Sequence, residues 1–195
     1  RGMIRRFSDG DRAVVIGFSD DVITLQPLTS DTASLGSSLA GAYSGQNRRL
    51  YDALYSGIES IRGAAGRSPV LAVTAGGDAG SSHTREDVIR AAQESGVPVH
   101  LIATDPGGPS PDLERLAGAT GGWSRTVTAD SQFTAAVTFM EEALRNFYLL
   151  AFTSSDTTED RTRREVRLTL RAFEKSDADI GVYRAPLGRA NLAVR

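Results

Sequence analysis

The chain has 195 residues, of which 40% are hydrophobic and 24% charged, with a formal net charge of -2; that is enough for one ordinary globular domain, with no field to draw in nucleic acid or an anionic membrane. The absence of cysteine excludes disulfides, thiolate metal sites and a cysteine nucleophile, and two histidines, His83 and His100, make a histidine-built zinc site a poor fit. No apolar run approaches the ~18 residues of a membrane span.

The chain opens Arg1-Gly2-Met3 with no charged-then-apolar leader, so residue 1 is expected to be an internal cut with any targeting segment upstream. Arg12–Phe18 is apolar and β-branched, Asp20-Asp21 is a tight turn, and Val22–Leu28 alternates, which predicts a hairpin with a half-exposed second arm. Residues 30–42 are a weak, Ser/Gly-rich helix and Ser44–Arg48 a polar loop. Leu50, Leu54, Ile58 and Ile61 then share one helical face.

The middle of the chain is regular. Val70–Thr74 is a short buried strand, followed by the Gly-rich loop Ala75–Ser82. Thr84 caps a helix with Glu86 and Asp87 in its first turn, and Gly96 stops it. Val97–Ala103 is a strand and Asp105–Pro109 a loop; Ser110 caps the next helix, with Pro111 at its first position, ending near Gly121-Gly122. Trp123–Val127 is a short strand. Residues 131–147 form a helix striped by Phe133, Val137, Met140, Leu144 and Phe147. This alternation predicts an α/β, Rossmann-like, doubly wound and mostly parallel sheet, with the hairpin as an antiparallel edge.

The tail changes character. Phe147–Thr153 and Glu165–Arg171 read as strands joined by the polar loop Ser154–Arg164, with a last short strand at Ile180–Tyr183. The expected organisation is therefore a domain over residues 1–147 and a C-terminal antiparallel β extension over residues 148–195, packed on the same domain.

Few residues promise chemistry. Gly76–Gly80 sits where α/β folds bind ligands, but it has neither the G-x-G-x-x-G spacing nor a Walker Lys-Ser/Thr, so it reads as a flexible connection rather than a phosphate cradle. His83 reads as a solvated loop residue and His100 as a hydrogen-bonded core or rim residue rather than a base. Glu141 and Glu142 diverge by about 100° on their helix and read as a solvated face. Arg161, Arg163, Arg164, Arg167 and Arg171 form the one basic cluster, either a charged edge strand that discourages aggregation or a surface for an acidic partner. No base and nucleophile converge on one loop edge, so a hydrolase or nucleotide-binding protein is the weaker alternative.

Taken together, Asp11–Phe18 with its hairpin, Leu50-Tyr51-Asp52-Ala53-Leu54, Val70–Thr74 with its loop, Gly96–Ile102, Leu113–Gly122, and Asn146-Phe147-Tyr148-Leu149-Leu150 before a β tail resemble a von Willebrand factor type A domain of the bacterial branch. The resemblance runs over roughly residues 5–184. It implies a Mg²⁺ or Mn²⁺ site built from D-x-S-x-S after the first strand, a Thr before the L-Y-D-A-L-like helix and an Asp in an S-D-G-like loop, since hard cations need such oxygens. The sequence departs at all three. No D-x-S-x-S is present, Arg48 stands at the Thr position, and Ala75 stands at the Asp position, while Asp78 lies off the ligand position.

The missing motif is also a missing central strand. A strand from outside residues 12–184 is expected between Ala13–Phe18 and Val70–Thr74: sequence upstream of Arg1, ahead of Ala190–Arg195 or a partner chain. By resemblance the chain is then a noncatalytic, cofactor-free and metal-independent protein-binding or scaffold module. It would be extracytoplasmic (periplasmic or secreted) and an accessory subunit of an envelope-associated complex, with no nucleic acid partner and no membrane insertion of its own; metal-dependent adhesion is the alternative. Two docking surfaces qualify: a loop edge with Arg48, Asp78, Ser81 and Asp105, and a tail with Arg163, Arg164, Arg167 and Arg171, the tail being preferred for stable assembly.

Overall fold

The computed structural model describes residues 4–41, 46–104 and 110–145, together with the pairs 148–149, 164–165, 184–185 and 193–194. Strands β1 (Ala13–Phe18) and β2 (Val22–Thr29) form the expected antiparallel hairpin, with Phe18 opposite Val22. Helix α1 (Thr32–Ser38) is short, and the Asp31 side chain accepts the backbone N–H groups of Ala33 and Ser34 at its start. Then follow α2 (Leu50–Ile61), β3 (Val70–Thr74), α3 (Arg85–Ser95), β4 (Val99–Ala103), α4 (Pro111–Ala119), β5 (Ser124–Thr126) and α5 (Asp130–Arg145). Strands β3, β4 and β5 pair in parallel in that order.

The helix ends follow from their residues. Thr84 and Asp87 form a reciprocal capping box at α3, which ends on Gly96 in the left-handed conformation. Ser110 occupies the N-cap position of α4 but makes no side-chain capping bond, so Pro111 carries the start signal together with Asp112 and Glu114 in the first turn.

Strand β4 is buried along its whole length, and its alternating side chains separate two cores. Val99, Leu101 and Ala103 pack with Leu50, Leu54 and Ile58 of α2, Val88 and Ala92 of α3, and Leu113 and Leu116 of α4. Ile102 packs on the other side with Trp123, Ala136 and Met140. His100 is buried against Trp123, as expected of a core histidine, and its Nδ1 accepts the Trp123 N–H at 3.2 Å. Glu141 is not the solvated residue its neighbourhood in sequence suggested. It is 8% exposed and pairs with Arg6 at 2.6 Å, so α5 turns this carboxylate inward to meet the N-terminal segment.

The sheet is divided. Among the described residues β1 pairs only with β2, β3 pairs only with β4, and no ladder joins β1 to β3. Helix α2 spans the division: a Cβ built on Gly57 would lie 3.6 Å from Val70 and 3.8 Å from Ile16. Both strands run the same way, because the C-terminal end of each meets the start of α2. The Ser19 carbonyl, just after β1, accepts the Arg49 N–H, and Ala79, beyond β3, bridges to Arg48. The division explains why β1 is only half-buried despite Val14, Val15, Ile16 and Phe18, and why Val73 of β3 is 43% exposed, against the expectation of a wholly buried strand. No described residue lies in a ladder between β1 and β3. Of the C-terminal candidate, Ala190–Arg195, only β9 (Ala193–Val194) is described, and it pairs antiparallel with β6 (Tyr148–Leu149).

In the tail, β7 (Arg164–Glu165) pairs antiparallel with β8 (Arg184–Ala185). The tail is described only in these two-residue ladders, β6 with β9 and β7 with β8; the rest of the strands expected at 147–153 and 165–171, and the strand expected at Ile180–Tyr183, lie outside the described residues.

One glycine fixes the approach of α4 to the sheet. A Cβ on Gly122 would stand 1.9 Å from the Val99 carbonyl oxygen and 2.5 Å from its carbon, a clash of backbone on backbone that no rotamer relieves. Gly122→Ala is therefore expected to lower unfolding free energy by about 2–4 kcal/mol. Gly118→Ala, with nothing within 4 Å of its Cβ inside α4, should be neutral or stabilising by up to ~1 kcal/mol. Urea denaturation of the two variants checks the pair; equal effects would contradict the packing described.

Candidate functional site

The N-terminus of α2 is the meeting point. A helix leaves its first N–H groups without internal partners, and Arg49 at the N-cap position offers no side-chain bond. The loop after β3 supplies them. Asp78 Oδ1 accepts the Tyr51 N–H at 3.0 Å, and Ser81 Oγ accepts the Asp52 N–H at 3.1 Å. The Ser81 hydroxyl in turn donates to Asp78 Oδ1 at 2.6 Å. A carboxylate at this end also suits the positive pole of the helix. Asp78 and Ser81 thus cap a helix that begins well before them in the chain.

The helix returns the favour through Asp52, in its first turn. This buried carboxylate accepts the backbone N–H groups of Ser82 and His83, the latter at 2.9 Å, meets His83 Nδ1 at 2.6 Å and accepts from Arg49 Nε at 2.9 Å. Burial alone pushes its pKa up; the two backbone donors, the His83 ring and Arg49 outweigh it and bring the group down to about 2. The His83 ring lies flat on Tyr55, centroids 4.0 Å apart and 16° from parallel, and Arg49 Nη2 reaches Ser82 Oγ at 3.1 Å.

Two further ties complete the edge. Arg48 and Ala79 exchange backbone hydrogen bonds at 3.0 and 2.8 Å, and Arg48 Nε donates to the Gly77 carbonyl at 3.1 Å. Asp20 Oδ1, in the hairpin turn, accepts the Asn47 N–H at 2.9 Å. The residues 75–83 are therefore no loose connection. Gly77, Asp78, Ala79, Ser81, Ser82 and His83 each hydrogen-bond to a residue of 48–52, and His83 is a carboxylate-paired, stacked residue rather than a solvated one, 38% of its side chain remaining exposed.

The expected loop-edge residues Arg48, Asp78 and Ser81 do come together, and the fourth, Asp105, lies outside the described residues. So do Arg163, Arg167 and Arg171 of the tail, while Arg164 is described only through its backbone in β7. The sequence reading missed Asp52, Arg49 and Tyr55. The available signal was an aspartate in a first turn between core residues Leu50 and Ala53, a place where a charge needs partners.

The donor set does not fit the divalent cation that the resemblance implies. A hard cation takes six or more oxygens. Here a guanidinium pinned to Gly77 stands at one ligand position, the Ala75 methyl at another, and the oxygens of Asp78 and Ser81 are engaged by α2. Among the described residues no three His, Asp or Glu side chains converge to hold a metal.

No protein-family model matches the chain, and no curated protein matches it in sequence. Solved structures match its fold. A von Willebrand factor type A protein from Catenulispora acidiphila superposes with TM-score 0.59 at 16% identity, over 75% of this chain and 37% of that one. An aerotolerance-related membrane protein from Bacteroides fragilis NCTC 9343 gives 0.53 at 17% identity, over 72% and 83%. The SpRpn10 VWA domain gives 0.52 at 13%, over 71% and 76%. The chain thus spans little more than a third of the first of these proteins. The fold is that of a von Willebrand factor A domain, α/β and Rossmann-like, with the antiparallel hairpin beside the parallel strands. No helix among the described residues is long and apolar enough to cross a membrane.

Asp52 makes stability depend on acid. Its folded pKa of about 2 lies below the free value of 3.8, so its contribution is complete above pH ~4 and disappears as pH falls through 2. The difference corresponds to about 2 kcal/mol. Asp52→Asn should lower stability at pH 7 by that order and flatten the loss between pH 4 and pH 2, as read from denaturant midpoints across the range. An acid limb as steep as that of the unmodified chain would contradict the role given to Asp52.

Proposed function

We propose that the chain is a noncatalytic, metal-independent protein-binding module that serves as an accessory subunit of an envelope-associated, extracytoplasmic assembly. The observation that carries metal independence is the engagement of Asp78 and Ser81 as caps of α2, with Arg48 standing where a neutral ligand would be required. The envelope setting rests on fold likeness to an aerotolerance-related membrane protein.

The noncatalytic reading is supported by the same bonds. Asp52 holds His83 as a carboxylate holds a general base. Yet the two neighbouring hydroxyls are turned elsewhere, Ser81 Oγ to Asp78 and Ser82 Oγ to Arg49, so the dyad has no nucleophile in hydrogen-bond reach among the described residues. What supports the loop edge as a docking surface is that Arg48, Asp78 and Ser81 are held by hydrogen bonds beforehand, so that little ordering entropy opposes binding there.

Calorimetric titration with Mg²⁺ and Mn²⁺ is expected to give no heat of binding. Micromolar affinity that disappears on changing Asp78 would overturn metal independence. Replacing Arg163, Arg164 and Arg167 together by Glu is expected to leave a co-purifying partner bound, whereas altering the loop edge should release it. Release by the tail variant alone would move the interface to the β extension.

A further inference from the structure

The residues that join the N-terminal segment to β1 form one tight turn. The Asp11 N–H donates to the Ser8 carbonyl at 3.0 Å, and Asp11 Oδ2 reaches back to accept the Ser8 N–H at 2.8 Å. Asp9 and Gly10 lie between them, both exposed. Gly10 has a φ of +94°, the sign that the third residue of a type II turn requires. A Cβ built on Gly10 would meet nothing within 4 Å, so no other group is packed over that residue.

Most described aspartates are held. Asp20 accepts the Asn47 N–H, Asp31 caps α1, Asp52 gathers Ser82 and His83, Asp78 caps α2, Asp87 closes the capping box of α3, and Asp112 meets Arg85. The Asp9 carboxylate has no hydrogen bond among the described residues, and it stands before glycine, in the one Asp-Gly pair of the sequence. Asp130 is also without one, but Ser131 of α5 follows it. These conditions favour one reaction. A main-chain nitrogen attacks the side-chain carboxyl of the preceding aspartate most readily under two conditions. That carboxyl must be free to turn back, and the residue bearing the nitrogen must have no Cβ to crowd the approach.

We infer that Asp9–Gly10 is a site of spontaneous backbone modification, at which the aspartate becomes isoaspartate. The Gly10 nitrogen bonds to Asp9 Cγ, and its proton leaves with the hydroxyl of the carboxylic acid as water, closing a succinimide ring. Water then opens the ring. Breaking the bond from the nitrogen to Cγ restores aspartate. Breaking its bond to the Asp9 main-chain carbonyl carbon leaves the chain running through Cβ and Cγ and frees an α-carboxylate. One water is lost and one regained, so no other reactant is needed. The isomer adds a methylene to the main chain inside the turn, and the turn joins two anchored pieces. Before it, Ile4 is buried and Arg6 pairs with the buried Glu141 of α5; after it, β1 is paired in the hairpin. Lengthening the connection breaks the Ser8–Asp11 bonds and slackens the hold of Arg6 on Glu141, so a change at an exposed turn is felt at a buried carboxylate. The inference stands apart from the protein-binding reading.

The experiment is incubation of the folded 195-residue chain in ¹⁸O-enriched water at neutral pH and physiological temperature. Peptide mass spectrometry reads the isotope, and an isoaspartyl methyltransferase with S-adenosylmethionine reads the freed α-carboxylate. The expected result is isotope uptake at residue 9 and methyl acceptance in the same peptide, both growing with time, with neither at Asp52 or Asp78. Asp9→Glu, which cannot close the succinimide and removes no hydrogen bond of the described residues, is expected to lose both signals. The isomerised fraction, separated by chromatography, is expected to unfold at a lower urea concentration than the fresh chain. An unlabelled residue 9, a signal that survives Asp9→Glu, or label entering Asp52 and Asp78 as fast as Asp9 would each overturn the inference. An isomerised fraction that keeps the urea midpoint of the fresh chain would overturn the coupling to Glu141.

Discussion

The reciprocal capping between α2 and the segment 75–83 is the constraint on which the rest of the molecule depends. In one direction Asp78 and Ser81 satisfy the first amides of the helix; in the other, Asp52 gathers the amides of Ser82 and His83. Each side of the exchange supplies what the other lacks, so neither end is left with a buried polar group unpaired. The segment then leads directly into Thr84, the cap of α3. Two helices and the ends of two strands are positioned from one cluster of hydrogen bonds.

That constraint matters more here because, among the described residues, no ladder joins the hairpin to the parallel strands. With no ladder between β1 and β3, the hairpin and the parallel strands are related through α2, whose Gly57 lies against side chains from both. Van der Waals contact and the Arg49–Ser19 backbone bond do the work that a hydrogen-bonded strand would otherwise share. Among the described residues β1 is half-buried and Val73 of β3 is exposed.

Secondary structure was legible because it is written locally. The stripe of Leu50, Leu54, Ile58 and Ile61, the Thr84 cap and the Gly96 stop each depend on a few adjacent residues, and each recurs in the structure. The site was legible only in part. Arg48, Asp78 and Ser81 could be placed on one edge because the order of elements brings their loops together. Nothing local shows that Asp52 meets His83, thirty-one residues apart, or that Glu141 meets Arg6. Charged residues on helices read as solvated unless the partner's position is known, and that position is a property of the folded chain.

The trans caps of α2 also bear on the order in which the chain is made. Asp52 leaves the ribosome 29 residues ahead of Ser81, the residue that accepts its amide proton. At roughly 5–20 residues per second, synthesis separates the two by on the order of seconds. During that interval the first turn of α2 has only water for its amides and an uncompensated carboxylate at Asp52, while the apolar face of Leu50, Leu54 and Ile58 still lacks β4, which comes later again. The nascent helix is therefore frayed at its leading end until the loop beyond β3 arrives, and β3 and its loop must emerge before the edge of the domain takes shape.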